Sequence, residues 1–205
     1  MPPNDPSGNS DVHSRATSWL KPAQVEEMRD ACLSGRFPTY LQDRNEAIVA
    51  LLYDAGLRAS ELVGLDVENL DLDDGTIYLT TELQKGNPPP ATLALDRETV
   101  RLLQRYLRDR WKDSEAVFPS RSSPRLSTRS LERLVKAIAI EAEVQPQLAS
   151  GGTGEPEDIT PHTLRHSVAY RIVQTEGGRL EDVQLRLRHA TLQTTDEIYS
   201  HLVPR

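Results

Sequence analysis

The sequence contains a single cysteine, Cys32, which excludes an internal disulfide and any cysteine-rich zinc site. Cys32 lies on a helix-like stretch and reads as a small buried apolar residue. No apolar run approaches the ~18 residues a membrane-spanning helix needs. The first residues lack the basic-then-apolar order of a secretory signal. Lysine is nearly absent: only Lys21, Lys85, Lys112 and Lys136 stand among 24 basic residues, and the rest are arginines. Positive charge is short overall, with a net charge of −7. That balance is unfavourable for holding a polyanion, whose affinity comes largely from phosphate neutralisation.

The shortage is uneven. Residues 1–75 carry 6 basic and 14 acidic side chains, whereas residues 76–205 carry 18 and 17. An acidic, lysine-poor surface suits life in high salt, where charge repulsion is screened, and this is the expectation for the source. With 205 residues, 37% of them hydrophobic, the chain is long enough to bury a real core as one soluble domain.

Residues 1–16 are rich in Pro, Asn, Ser, Gly and Asp and read as a disordered tail or linker, which leaves 17–205 as the folded domain. Pro22 sits where a first helical residue would, and Val25, Met28, Ala31 and Cys32 recur at helical spacing until Gly35. A second helix runs from about Tyr40, with Ala47, Ile48, Leu51, Leu52 and Ala55 on one face and Gly56 as its stop. A short helix over Ser60 to Leu65 follows. After the turn Asp73-Asp74-Gly75, residues 76–81 read as a strand and 91–95 as its return, with Lys85 in the turn between them.

This small sheet is the only β-structure expected, so the fold class is mainly α with a small antiparallel sheet. Helical spacing resumes around Val100, Leu103 and Leu107 and again from Leu131 to Ile138. Residues 145–158 form a Gly/Pro-rich loop, long enough to be a mobile element. Thr160-Pro161 starts another helix, with a capping hydroxyl followed by proline, and Gly177-Gly178 ends it. Leu180, Val183 and Leu187 mark the next, and Thr194 or Thr195 is the candidate cap of a last helix carrying Tyr199.

Four segments hold the candidate chemistry. His162 and Arg165 are three apart in the first turns of one helix and share a face at an end that favours anions. An imidazole beside a guanidinium there can hold a phosphate and move a proton; a solvated polar helix start reads equally well in isolation. Arg58 follows an apolar helix with Glu61 three residues on, which alone reads as a surface ion pair. His189 ends a helix and alone reads as a polar cap. Tyr199, on a short last helix, alone reads as core packing.

Taken together, the order Gly56-Leu57-Arg58-Ala59-Ser60-Glu61-Leu62, a hairpin lysine, His162-Thr163-Leu164-Arg165, Leu187-Arg188-His189 and Tyr199-Ser200-His201 resembles the tyrosine recombinase (phage integrase) family. The resemblance covers residues 19–202. It implies that Tyr199 attacks a DNA phosphodiester to form a 3′-phosphotyrosine, while Arg58 and Arg165 clamp the non-bridging oxygens. It further implies His162 as the base, Lys85 as the acid for the departing 5′-oxygen, His189 as a hydrogen bond to the phosphate, and Glu61 as the group that orients Arg58 or His162. The implied partners are double-stranded DNA and further recombinase protomers, with no cofactor, metal or membrane, in the cytoplasm with the nucleoid.

The sequence departs from the family pattern in two places. Arg188 stands where the family has glycine, either to contact DNA or to be solvated. The interval from His189 to Tyr199 is one residue longer than the commonest spacing, so the tyrosine helix must turn by about 100° or the preceding loop must absorb a residue. His166 and His201 are expected to be structural. The family's N-terminal clamp and the docking segment beyond the tyrosine have no counterpart, so the expectation is a fragment or minimal catalytic domain, monomeric and weak in DNA affinity. The competing readings are a non-catalytic DNA-binding protein on the same fold, a type IB topoisomerase-like enzyme, and a histidine metal site at His162 and His166, which lacks a carboxylate-rich partner helix.

Overall fold

A computed structural model describes residues 18–189 and 191–202, except the side chain of Glu197. The tail expected over 1–16 lies outside the described residues. In chain order the elements are β1 (Ser18–Trp19), α1 (Pro22–Cys32), α2 (Thr39–Ala55), α3 (Ala59–Gly64), β2 (Leu70–Asp71), β3 (Thr76–Leu79), β4 (Ala91–Ala94), α4 (Arg97–Asp109), α5 (Thr128–Glu141), β5 (Gln147–Leu148), α6 (Pro161–Tyr170), α7 (Leu180–Leu187) and α8 (Leu192–Tyr199). The fold is mainly helical with small antiparallel sheets, and none of its described helices is long and apolar enough to cross a membrane.

The fold is built around α2. From Arg44 to Ala55 every residue of this helix is buried, because it is sheathed by α1, α4 and α6. Such a helix is apolar on nearly all sides, and Ile48, Val49, Leu51 and Leu52 supply the inner contacts. It stops at Gly56, whose φ of +61° is left-handed and whose N–H donates to the Leu52 carbonyl. The central sheet is antiparallel in the order β2-β3-β4, with Thr76 opposite Ala94 and Leu79 opposite Ala91. Ile77 and Leu79 point into the core while Tyr78 points out, the alternation of a half-buried strand.

Several boundaries differ from the sequence reading. A second sheet exists: β1 pairs with β5, Ser18 opposite Leu148. Strands of two residues leave no periodicity to read, and their pairing spans most of the chain. It also gives the 145–158 segment regular structure, with a further 3₁₀ turn at Pro156–Asp158. The first helix ends at Cys32 rather than Gly35, and β3 ends at Leu79 rather than Thr81. The cap of α8 is Thr191, whose hydroxyl accepts from Thr194 N–H at 3.2 Å, so neither Thr194 nor Thr195 starts that helix. Beyond Tyr170 the backbone widens into a π turn, Arg171–Thr175, before reaching the glycines. Cys32 is buried, as read, and its thiol donates to the Met28 carbonyl.

Candidate active site

Three helix ends position the arginines and histidines of the site. The C-terminus of α2 delivers Gly56 and the turn to Arg58. The N-terminal half of α6 carries His162, Arg165 and His166, fixed by Thr160, whose hydroxyl accepts from Thr163 N–H, and by Pro161 at the first position. The end of α7 delivers Arg188 and His189. This last end is tied to α2 by Arg186, which donates to the Asp54 carboxylate at 2.8 Å and to its carbonyl. Ser18 and Leu20 brace α6 from behind, Leu20 N–H donating to Ser167 Oγ at 2.8 Å.

Arg165 is at the centre, only 2% exposed. Its two terminal nitrogens donate to the carbonyls of Gly56 and Leu187, so the guanidinium is clamped between the ends of α2 and α7. Gly56 is required twice over. Its backbone is left-handed, and a Cβ there would stand 2.6 Å from Leu187 Cδ2. Burial, with Arg58 and Arg188 nearby, pushes the Arg165 pKa down to about 9, still cationic at neutral pH.

Glu61 is fully buried and holds two arginines. One oxygen accepts from Arg58 Nη1 at 2.8 Å; the other accepts from Arg58 N–H at 2.7 Å and from Arg188 Nη2 at 2.6 Å. Burial alone would raise its pKa, but Arg188 and the backbone and side chain of Arg58 outweigh that and lower it. The group oriented by Glu61 is therefore Arg58, not His162. Arg188 is neither solvated nor free for DNA, since it is buried against Glu61. Its φ of +54° explains why glycine is the easy residue at this position.

Tyr199 ends α8 and turns inward, 2% exposed. Its hydroxyl is 2.6 Å from His166 Nδ1, and its ring lies parallel to that of His189 with centroids 6.0 Å apart. Burial raises its pKa, only partly countered by Arg165. His189 Nδ1 meets Thr195 Oγ1 at 2.9 Å. Burial, then Arg165, Arg58 and His162, lower the His189 pKa to about 4, so the ring is neutral at pH 7. His162 is exposed at its outer edge; desolvation of the rest, with Arg165 and Arg58, also lowers its pKa. Its ring meets that of His166 edge-on at 4.2 Å between centroids. Among the described residues no group of three or more His, Cys, Asp or Glu is arranged to hold a metal.

Arg58, Glu61, His162, Arg165, His189 and Tyr199 thus form one cluster. Lys85 does not join it: it stands exposed on the β3–β4 turn. The sequence reading set His166 aside, yet this is the imidazole on the tyrosine hydroxyl. Its position, four residues after His162 on the same helix face, was the available signal. Arg188 and Thr195 are the other contributors not foreseen.

The sequence profile of the phage integrase family matches residues 18–205. The chain belongs to the phage integrase (tyrosine recombinase) family. Relatives within it include the tyrosine recombinase XerC of Salmonella typhi, 35% identical over 162 residues, which are 78% of this chain and 48% of that protein. XerC of Escherichia coli strain K12 / DH10B is 34% identical over the same length. The chain thus spans about half the length of the curated relatives it matches. Among solved structures, the XerA recombinase superposes with a TM-score of 0.70 at 24% identity, over 100% of this chain and 68% of that one. The XerH recombinase bound to its difH substrate before cleavage superposes with 0.69 at 22% identity, over 89% and 50%. These establish a phage integrase catalytic-domain fold for the whole described region.

Proposed function

We propose that this domain breaks and rejoins double-stranded DNA, site-specifically, through a 3′-phosphotyrosine at Tyr199. The observation that carries the reading is the enclosure of a tyrosine hydroxyl by Arg165, His166 and His189, with Arg58 and His162 adjoining. Attack by the Tyr199 oxygen forms a phosphorus–oxygen bond and breaks the bond to the 5′-oxygen, which leaves with a proton. Charge accumulates on the non-bridging oxygens, where Arg58 and Arg165 stabilise it. The neutral His189 donates a hydrogen bond there without adding charge.

The tyrosine must lose its proton as it attacks. His166 holds that hydroxyl in the resting arrangement, and His162, edge-on to His166, stands on the solvent side as the base. Lys85, on the exposed turn, is the acid for the 5′-oxygen and must swing in when DNA is present. Because Tyr199 is only 2% exposed, α8 must also shift for a phosphate to reach its hydroxyl. The phosphotyrosine conserves the linkage energy, so the reverse step rejoins the strand. Further protomers on the same DNA supply the remaining strand exchanges, and the protein works where that DNA is, with the nucleoid. The grouping of a buried tyrosine hydroxyl with Arg165, His166 and His189 favours this over a DNA-binding domain without catalysis.

The test is a nicked duplex carrying the native attachment site, followed by denaturing electrophoresis. The parent chain traps a protein–DNA adduct. Tyr199→Phe traps none while binding the duplex as the parent does, because only the nucleophilic oxygen is lost. Equal adduct yield from the two proteins overturns the assignment.

A further inference from the structure

Arg44 lies near the start of α2, at the opposite end from Gly56, and is 5% exposed. Its Nε and Nη2 donate to Asn45 Oδ1 at 3.2 and 2.9 Å, and its Nη1 to the Pro119 carbonyl at 3.2 Å. All of these acceptors are neutral. Among the described residues no carboxylate pairs with it. Burial holds its pKa below the ordinary value; Tyr106 and Tyr40 act the other way, and Arg121 adds to the lowering. A buried cation without a counter-charge is costly, by several kcal/mol unless its remaining donors find an anion. Five N–H donors radiate from a guanidinium, and three bonds leave two unspent.

Arg44 lines an open cavity of about 500 Å³. Arg121 and Arg133 line it too, with the hydroxyls of Ser120, Ser122 and Ser130, and no Asp or Glu is among its lining residues. In a chain of net charge −7, a cavity with three arginines, three serines and no acid is a local reversal of sign. Arginine forks and hydroxyls are the donor set that fits tetrahedral oxyanions. Arg121 and Arg133 are exposed at the rim, so a ligand can enter without unfolding the wall.

We infer that this cavity is a second anion site, built to seat a phosphate group on Arg44, and that its source is the backbone of the DNA. The source rests on the DNA reading above; the phosphate chemistry does not. Twelve helical residues separate Arg44 from Gly56, or ~18 Å at 1.5 Å per residue. That is roughly five base steps along a duplex at 3.4 Å each, so one duplex can span both sites. The active site would hold the phosphate that reacts, and the Arg44 cavity one that only anchors.

The experiment follows the arginine Nε–H signals of the ¹⁵N-labelled chain by NMR, adding inorganic phosphate against chloride at equal ionic strength. The expected result is a saturable shift of the Arg44 signal, identified by its loss in Arg44→Lys. The shift should weaken at least tenfold in affinity in the double variant Arg121→Ala/Arg133→Ala, whose exposed side chains leave the core intact. Absence of a saturable shift, or an unchanged one in the double variant, overturns the site. A duplex that displaces the phosphate identifies the DNA backbone as the source; a duplex that binds while the phosphate stays identifies a free phosphate and overturns the DNA assignment. In the first case the double variant also lowers the salt slope of duplex binding by about one to two. Adduct yield on the nicked duplex at saturating protein, read separately, should match the parent, so failure of the anchor and failure of Tyr199 chemistry give different results.

Discussion

Two buried glutamates in this molecule each bridge two arginines, and their surroundings differ in sign. Glu46, on α2, accepts from Arg29 at 3.2 Å and from Arg105 at 2.5 Å. Arg29 also meets Glu26 and Glu98, and Arg105 also meets Asp43. Two cations there face four carboxylates. Glu61 bridges Arg58 and Arg188, while Arg165 beside them gives its guanidinium to two carbonyls. Three cations there face one carboxylate. The first cluster is saturated and holds α1, α2 and α4 together. The second is under-neutralised, and its missing charge is what a phosphodiester brings. The structural network carries an excess of acid, while the site keeps a local excess of base.

Removing each glutamate is the strongest way to break this comparison. Glu61→Gln leaves Arg58 and Arg188 without their shared anion in a buried setting, and a loss of about 3–5 kcal/mol is expected. Glu46→Gln leaves Arg29 with two carboxylates and Arg105 with one, so about 1 kcal/mol is expected. Urea unfolding of both variants measures the difference. Equal losses would mean that the two clusters are equally compensated and that the charge imbalance at the site is not real.

A smaller effect is expected at the junction between α2 and the site. Gly56→Ala places a side chain in a left-handed conformation, at about 1–2 kcal/mol, and drives its Cβ toward Leu187. Leu187, whose carbonyl also holds Arg165, must shift its side chain to make room. The variant should therefore lose about 2 kcal/mol of stability and most of its adduct yield together. Loss of stability with full adduct yield would show that Arg165 does not depend on this seat.

How much of this was legible in the sequence depends on the range of each contact. The α2 stripe, the Gly56 stop, the Thr160-Pro161 start and the β3–β4 hairpin are local patterns, and each appears where the residues placed it. Motif order gathered Arg58, His162, Arg165, His189 and Tyr199, and the fold brings them together. Three features were out of reach. The β1–β5 pair joins residues some 130 positions apart with no periodicity. His166 was visible, but nothing local says that Tyr199, 33 residues on, turns toward it. Arg188 was noticed as a departure from glycine, yet its role follows from a left-handed backbone that aims the side chain back at Glu61. The Lys85 turn is where the sequence placed it, but in this arrangement it stays apart from the cluster.

The weakest expected effect is also the one that most sharpens the difference between the two clusters, because only the site contains histidines. His189 has a folded-state pKa of about 4 against an ordinary 6.5. On acidification the unfolded chain therefore takes up this proton first. The unfolded state binds more protons between pH 6.5 and 4, so the stability this group contributes is complete above pH 6.5 and is lost as the pH falls toward 4. His162 shifts in the same direction and adds to the slope. The Glu61 pKa is lowered as well, but its loss belongs to lower pH, below the ordinary carboxylate value of 4.5. Unfolding free energies at half-unit steps from pH 7.5 to 4 should decline through that window in the parent chain. His189→Gln keeps a polar group near Thr195 and removes the proton, so its decline should be shallower, by up to one proton per molecule. The Glu46 network has no histidine to add to this slope. Parallel curves for His189→Gln and the parent would mean that His189 carries its proton in the folded state at pH 6, and that the site is less positive than three arginines around one glutamate imply.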